Sequence, residues 1–430
     1  MALSLRYAKP KRNFLKEASI MNSGDTAWVL TASALVLLMT IPGLAFFYGG
    51  LVRRKNVLSI LMQCFIIVCV ISLQWALFGY SLAFGPDFHG IIGNLDWAGL
   101  SGVGAAPNSN YAATIPHLAF MIFQAMFAVI TPALIIGAYA ERVKFPAFLL
   151  FTVLWATFVY DPLAHWVWGA GGWLKSLGGL DFAGGIVVHV SSGISALVLA
   201  LLLGKRIGYN HKPIRPHNLP FTVLGAALLW FGWFGFNAGS ALAADGLAAT
   251  AFVNTNTATA AAGLAWALIE WRHNGSPTIL GAATGAVAGL VAITPACGFV
   301  NPMNAMLIGI IVAFVCYIAV AVMKGKLGYD DSLDAFGVHG VGGTVGTLLT
   351  GIFAQKAINP AGADGLLFGN LHTFGIQCLM LVVTVVFAAI MTFILFKIVD
   401  AAIGMRVEEK NEIIGLDLTQ QSEAAYTVIE

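Results

Sequence analysis

"LDFAGGIVVHVSSG" (180–193) places a single imidazole, His189, in an apolar run that, after Asp181, is broken only by glycines and small hydroxyls. A second stretch, "DAFGVHGVGGTVG" (334–346), repeats the arrangement around His339. Each histidine follows a valine, and each has a glycine four residues on, Gly193 and Gly343. An ionisable ring inside a membrane span is costly and marks a functional site by default. Two in matching settings ask for one explanation, which depends on what surrounds them.

The surroundings are apolar. Apolar types make up 59% of the 430 residues and charged types 10%, against about 25% charged in a soluble domain. A helix crosses a bilayer with about 20 mostly apolar residues. Eleven such runs lie near 26–48, 58–84, 116–138, 146–163, 182–203, 219–241, 248–270, 279–295, 303–323, 335–355 and 372–399. The gaps between them are too short for a soluble domain. The fold class is therefore all-α integral membrane, one domain over 24–400 with a short tail over 401–430.

Charge sorts the loops into two sides. Arg53, Arg54, Lys55, Arg142, Lys144, Lys205, Arg206, Lys212, Arg215, Arg272, Lys324, Lys326, Lys397, Arg406 and Lys410 all fall on one side of an eleven-span chain. From residue 21 onward the other side holds only Lys175 and Lys356. The positive-inside bias puts the C-terminus in the cytoplasm and the N-terminus outside. Residues 1–23 stand apart. "MALSLRYAKPKRNFLKEAS" carries five Lys/Arg on the outer side without the apolar core of a signal peptide. The expectation is a start at Met21, with the upstream residues disordered or a mis-assigned beginning.

Counting spans puts His189 on the fifth and His339 on the tenth, entering from opposite faces. Two five-span halves of opposite topology are what an inverted repeat requires, and such folds place their substrate path at the repeat interface. Asp181 opens the fifth span and Asp334 the tenth, at unequal distances from the histidines, so the internal match is weak there. The bland alternative is that each imidazole hydrogen-bonds a neighbouring helix, a contact worth about 1 kcal/mol. The 48 glycines, dense in 281–298 and 337–351, indicate helices whose backbones approach closely. Cys64, Cys69, Cys297, Cys316 and Cys378 have neither metal-ligand spacing nor a paired framework, and read as small buried apolar residues.

The spans hold no interior Lys or Arg and few acids. A path for metal ions or anions would want charged or carbonyl-rich ligands at mid-membrane. Two neutral-capable imidazoles among Phe, Trp, Gly and hydroxyls suit a small, uncharged, hydrogen-bonding solute, with a proton handled separately. Aromatics also cluster, in "WFGWFGFNAGS" (230–240) and "HWVWGAGGW" (165–173). The second reads first as an interfacial belt. The first exceeds what a belt needs, and aromatic faces attract cations.

These motifs, with "TIPGLAFFYGGLVRRKNVLS" (40–59) and "AFVNTNTATAAAG" (251–263), together resemble the ammonium transporter (Amt/Mep/Rh) family, its bacterial Amt branch above all. The resemblance runs from about Gly24 to Tyr426. It implies two inverted five-helix repeats plus an eleventh helix, usually a homotrimer with one pore per protomer in the plasma (inner) membrane. It implies no enzyme chemistry, no cofactor and no metal.

By that resemblance His189 and His339 line the narrow pore and Phe127 and Phe236 form a stacked gate above them. Phe123, Trp168 and Ser240 recruit ammonium outside, and Trp233 walls the pore. Asp181 is the acid near the outer vestibule; the alternative for it is an N-cap holding the start of the fifth span. The tail "GMRVEEKNEIIGLDLTQQSEAAY" (404–426) resembles the family's cytoplasmic region beneath the pores, and a PII-type signal protein is the partner it implies. Thr419 matches a phosphorylation position in plant relatives, beside the plainer reading of a solvated loop.

Cost dictates the expected mechanism. A charged side chain at mid-bilayer costs about 2.5–3.5 kcal/mol even on the mild insertion scale, and desolvation disfavours the ionised form. Ammonium held at the mouth would shed its proton moving inward, and ammonia would cross hydrogen-bonded to the imidazoles. One proton shared between the rings would relay the charge. Two other classes compete. One is an ammonium sensor acting through a PII-type partner; the other is a haem protein ligated by the two histidines.

Overall fold

The computed structural model describes residues 21–209, 211 and 214–426; the expectation for residues 1–20 lies outside the described residues. Eleven long helices make the body: α1 Ser23–Leu51, α2 Arg54–Phe84, α3 His117–Tyr139, α4 Phe145–Ser176, α5 Gly185–Leu203, α6 Leu219–Ala241, α7 Gly246–Asn274, α8 Ile279–Ile293, α9 Pro302–Leu327, α10 Phe336–Phe353 and α11 Leu371–Ile403. Two short helices, α12 Glu409–Ile414 and α13 Leu416–Gln421, belong to the tail. A two-residue antiparallel pair, β1 Asp87–Phe88 and β2 Ile92–Gly93, sits in the loop after α2.

Among the described residues, nine of these helices are long and apolar enough to span a membrane. The protein is thus a multi-pass membrane protein. The two remaining predicted runs are helical but fail for different physical reasons. α7 is long but polar, carrying Asn254, Thr255, Asn256, Thr257 and Thr259. Part of its polarity is met within the protein: the Asn254 amide donates to the carbonyls of Cys297 (2.8 Å) and Val300 (2.6 Å), and Asn237 donates to Thr255 Oγ1 (2.9 Å). α8 is apolar but only 15 residues long.

The helices bearing the two histidines begin alike. Both open with a stretch of i→i+5 bonding, Gly185–Val190 in α5 and Phe336–Gly340 in α10, and each stretch contains its histidine. Such wide turns concentrate at functional positions. A buried carboxylate holds each one open by accepting orphan amides of the first turn. Asp181 accepts from the amides of Gly184 (2.9 Å), Gly185 (2.6 Å), Ile186 (2.9 Å) and Val187 (3.2 Å). Asp331 accepts from Ala335 (3.1 Å) and Phe336 (2.8 Å). This corrects the pairing expected from sequence. The counterpart of Asp181 is Asp331, eight residues before its histidine as Asp181 is before His189. Asp334 instead faces Lys324 Nζ at 2.7 Å. Burial pushes both cradle carboxyls up to about 6, against the pull of the amides on each and of Lys324 on Asp331.

The glycines four residues beyond each histidine explain themselves as a pair. A Cβ on Gly193 would meet Gly340 N at 2.1 Å and the His339 carbonyl carbon at 2.9 Å. A Cβ on Gly343 would meet the His189 Cβ at 2.9 Å and Gly185 O at 3.1 Å. Each histidine is therefore received by the glycine that follows the other. Matching 189 with 343 and 193 with 339 means the two segments pass in opposite chain directions. Without side chains at the crossing, the backbones come close enough for the imidazoles to meet.

A buried ionic network closes the basic side. Glu141 receives Arg53 (2.9 Å) and Arg206 (3.1 Å), and Arg206 also pairs with Asp330 (2.8 Å). Despite burial, Arg206 and Arg53 hold the Glu141 carboxyl below its ordinary range. The tail is stitched to the same ground. Glu412 accepts from the Ile207 amide (2.6 Å) and from Arg406 (2.9 Å), and Asp417 accepts from the Ser59 amide (2.8 Å). Thr419, expected in a solvated loop, lies half-buried in α13 with its hydroxyl bonded to Gly415 O (2.9 Å).

Two outcomes follow from the crossing and its cradles. Gly193→Ala is expected to lower stability in detergent by about 1–3 kcal/mol, the cost of overpacking, whereas Gly375→Ala, which meets nothing within 4 Å, leaves it within about 1 kcal/mol; melting curves check this. Asp331 holds its proton more tightly folded than unfolded, so its ionisation weakens the fold as pH rises from 4 to 6. Lowering pH through that window should stabilise the wild type relative to Asp331→Asn, which does not titrate; melting curves across the window check it.

Candidate functional site

A chamber of about 490 Å3, on the side of the bundle away from the basic loops, is lined by Phe127, Trp168, Asp181, Ser240, Gln124 and Lys175, among others. Trp168 is fixed by its indole N–H donating to the Asp181 carbonyl (2.9 Å), and Ser240 donates to Phe236 O (2.9 Å). Phe123 does not line this chamber. It is fully buried and sets its ring edge-on to Phe127, centroids 5.0 Å apart. The Asp181 carboxylate is occupied by four backbone amides, so geometry assigns it the N-cap task directly.

Below the chamber the aromatic rings form a column. Phe127 lies 5.8 Å from Trp168 and 4.3 Å from Phe236 by centroid. Phe236 in turn lies 6.0 Å from His189. Trp233 stacks beside His189 at 5.4 Å and 27°, its N–H donating to Thr294 Oγ1 (2.9 Å). Helical spacing divides the aromatic run of α6. Trp233 and Phe236 face inward, Phe231 is exposed, and Phe234 stacks on Phe252 at 3.9 Å.

The two imidazoles complete the column. Their centroids are 5.3 Å apart at 26°, and the two Nδ1 atoms lie 3.3 Å from each other. At that distance one nitrogen must donate and the other accept, so a single proton lies between the rings. His189 Nε2 is buried and has no hydrogen-bond partner. A buried, unpaired ring nitrogen costs about 1–3 kcal/mol unless something visits it. Both rings border a cavity of about 10 Å3 walled by Leu134, Val188, Trp233 and Phe236 among others. That is room for one water-sized molecule, and none for a macrocycle between the histidines. No group of three or more His, Cys, Asp or Glu placed to hold a metal occurs among the described residues.

His339 also borders the next chamber inward, about 190 Å3, lined by Tyr48, Trp266, Glu270 and Tyr317 among others. Beyond it a space of about 550 Å3 is bordered by Arg206, Tyr209, Lys324 and Asp334. Of the residues singled out from sequence, Trp168, Ser240, Phe127, Phe236, Trp233, His189 and His339 all lie along this one path. Sequence reasoning missed Asp331, although an Asp stands eight residues before each of the two paired histidines. It also missed Thr294, Tyr48 and Glu270, which bear no local signal.

Known proteins resemble this chain along most of its length. Residues 27–426 match the Ammonium Transporter Family. The ammonium transporter of Bacillus subtilis (strain 168) is 56% identical over 94% of this chain and 99% of its own length. The crystal structure of Saccharomyces cerevisiae Mep2 superposes with a TM-score of 0.85 at 38% identity, covering 90% of this chain and 88% of that one. A solved "Sensor Amt Protein" superposes at 0.84 with 31% identity, covering 92% and 98%. With a paired-histidine constriction under an aromatic stack, in a multi-pass helical body, the chain belongs to the ammonium transporter family.

Proposed function

We propose that this protein takes up ammonium by holding NH4+ in the outer chamber, stripping its proton at the aromatic stack, and conducting NH3 past the paired histidines. The observation that carries the reading is the unpartnered Nε2 of His189, a ring that borders a cavity with room for one small molecule. Trp168 and Ser240 supply a cation–π face and a hydroxyl oxygen for the cation, with Phe123 acting behind Phe127. Asp181 acts by fixing the start of α5 and, through its carbonyl, the Trp168 indole.

Phe127 and Phe236 in contact exclude water. An ammonium ion reaching them loses hydration that the rings do not replace, so the charged form is disfavoured there. Ammonia then finds an acceptor or donor at each ring nitrogen that the other imidazole leaves free. The shed proton would be taken up at the free His189 Nε2 while the shared proton passes to the Nδ1 of His339 and His339 releases its own Nε2 proton inward, so that one charge follows each relay. Potassium has no proton to give up and stops at the stack.

The same reading takes α7 and α8 as spans, giving eleven in two inverted halves plus α11, with a membrane domain over 24–400 and a tail over 401–430. It puts the basic side, and the tail stitched to it, in the cytoplasm of a cell whose plasma (inner) membrane holds the protein as a homotrimer. A PII-type signal protein would dock on that basic face. The likeness to a sensor protein supports a second role in signalling ammonium occupancy, which flux measurements separate from transport.

His189→Ala and His339→Ala should leave folded protein in which ammonium-driven current in liposomes falls by roughly 5- to 150-fold, the loss of about 1–3 kcal/mol at the narrow point. Wild-type current and wild-type exclusion of potassium in both variants would contradict the relay. Full-length protein isolated from cells at low and at high external ammonium should retain a PII-type protein in one of the two states; its absence from both would remove that partner.

A further inference from the structure

Lys175 is one of only two basic residues outside the first twenty that the charge pattern leaves on the outer side. It is also the only basic side chain lining the outer chamber among the described residues. A fixed cation beside a site meant to gather a cation is out of place electrostatically. Its surroundings are nevertheless made for it. Nζ donates to the Trp168 carbonyl at 2.9 Å and lies 5.9 Å from the centre of the Tyr111 ring. Tyr111 is a rigid plate. Its hydroxyl donates to Phe84 O (2.5 Å) and accepts from the Ala170 amide (3.1 Å), and its ring stacks on Phe120 at 4.8 Å and 16°. A carbonyl oxygen and an aromatic face are the ligands an ammonium ion seeks.

We infer that Lys175 is a tethered alkylammonium that sits in the outer chamber as a resident competitor and sets how much external ammonium is needed to fill it. The inference rests on the proposed recruitment of NH4+ to this chamber. The carboxylate that also lines the space, Asp181, cannot offset the lysine freely, because four amides already claim its oxygens. A second cation entering is repelled by the first, and apolar walls strengthen the effect over that in open water. The repulsion acts on filling, not on passage, since Lys175 borders neither the cavity at the histidines nor the chamber beyond.

The test is ammonium-driven current from the full chain in liposomes, with the wild type, Lys175→Gln and Lys175→Arg compared at low and high sodium chloride. At low salt, Lys175→Gln should reach half-saturation at an ammonium concentration about two- to fivefold lower than the wild type, the size of a partly screened charge–charge term. Lys175→Arg should stay with the wild type. The change should fall on half-saturation rather than on maximal current. Added salt should lower the wild-type value toward that of Lys175→Gln and leave the variant unmoved. A Lys175→Gln value equal to wild type at low salt overturns the inference, as does a change carried by maximal current with Lys175→Arg equally affected. No current from any form, wild type included, would instead strike at the transport reading itself.

Discussion

Everything in this molecule turns on the contact between two backbones that carry no side chains where they meet. Gly193 lies against Gly340 and the carbonyl of His339, and Gly343 lies against His189. Lipid gives helices no hydrophobic reason to associate, so close approach through small residues is the available source of cohesion. The crossing has a functional by-product. It leaves the imidazoles as the first groups large enough to touch across it, with Nδ1 atoms 3.3 Å apart. The two buried aspartates then fix how far each helix is wound when it reaches its histidine.

The rings beside this crossing set an order. Phe127 and Phe236 are closer to one another than to any other ring of the column, and Phe236 leads on to His189. Trp168 and Ser240 come first, the two apolar rings next and the imidazoles last. The proposed loss of a proton before the histidines rests on that order.

Much of this was legible in the residue order. The histidine motifs, the spaced glycines and the sorted charges needed only helical geometry and the cost of charge in hydrocarbon. Other features were not legible, for physical reasons. Asp334 looked like the mate of Asp181 because it stands next to the apolar run; only the amide directions reveal that Asp331 reaches the helix start while Asp334 turns to Lys324. Phe123 and Phe127 are one helical turn apart and look interchangeable in sequence. Both are buried, and a single turn decides that Phe127 lines the chamber while Phe123 lies against it from behind. The polar run of α7 reads as a weak span until its Asn254 amide is seen bonded to the loop after α8.

The pocket beside the histidines carries a consequence of its own. At about 10 Å3 it admits a water molecule as readily as ammonia, so bulk cannot tell the two apart there. Nor can a count of partners, since water offers two donors and two acceptors and ammonia three donors and one acceptor. A space this narrow holds occupants one at a time, whichever molecule enters.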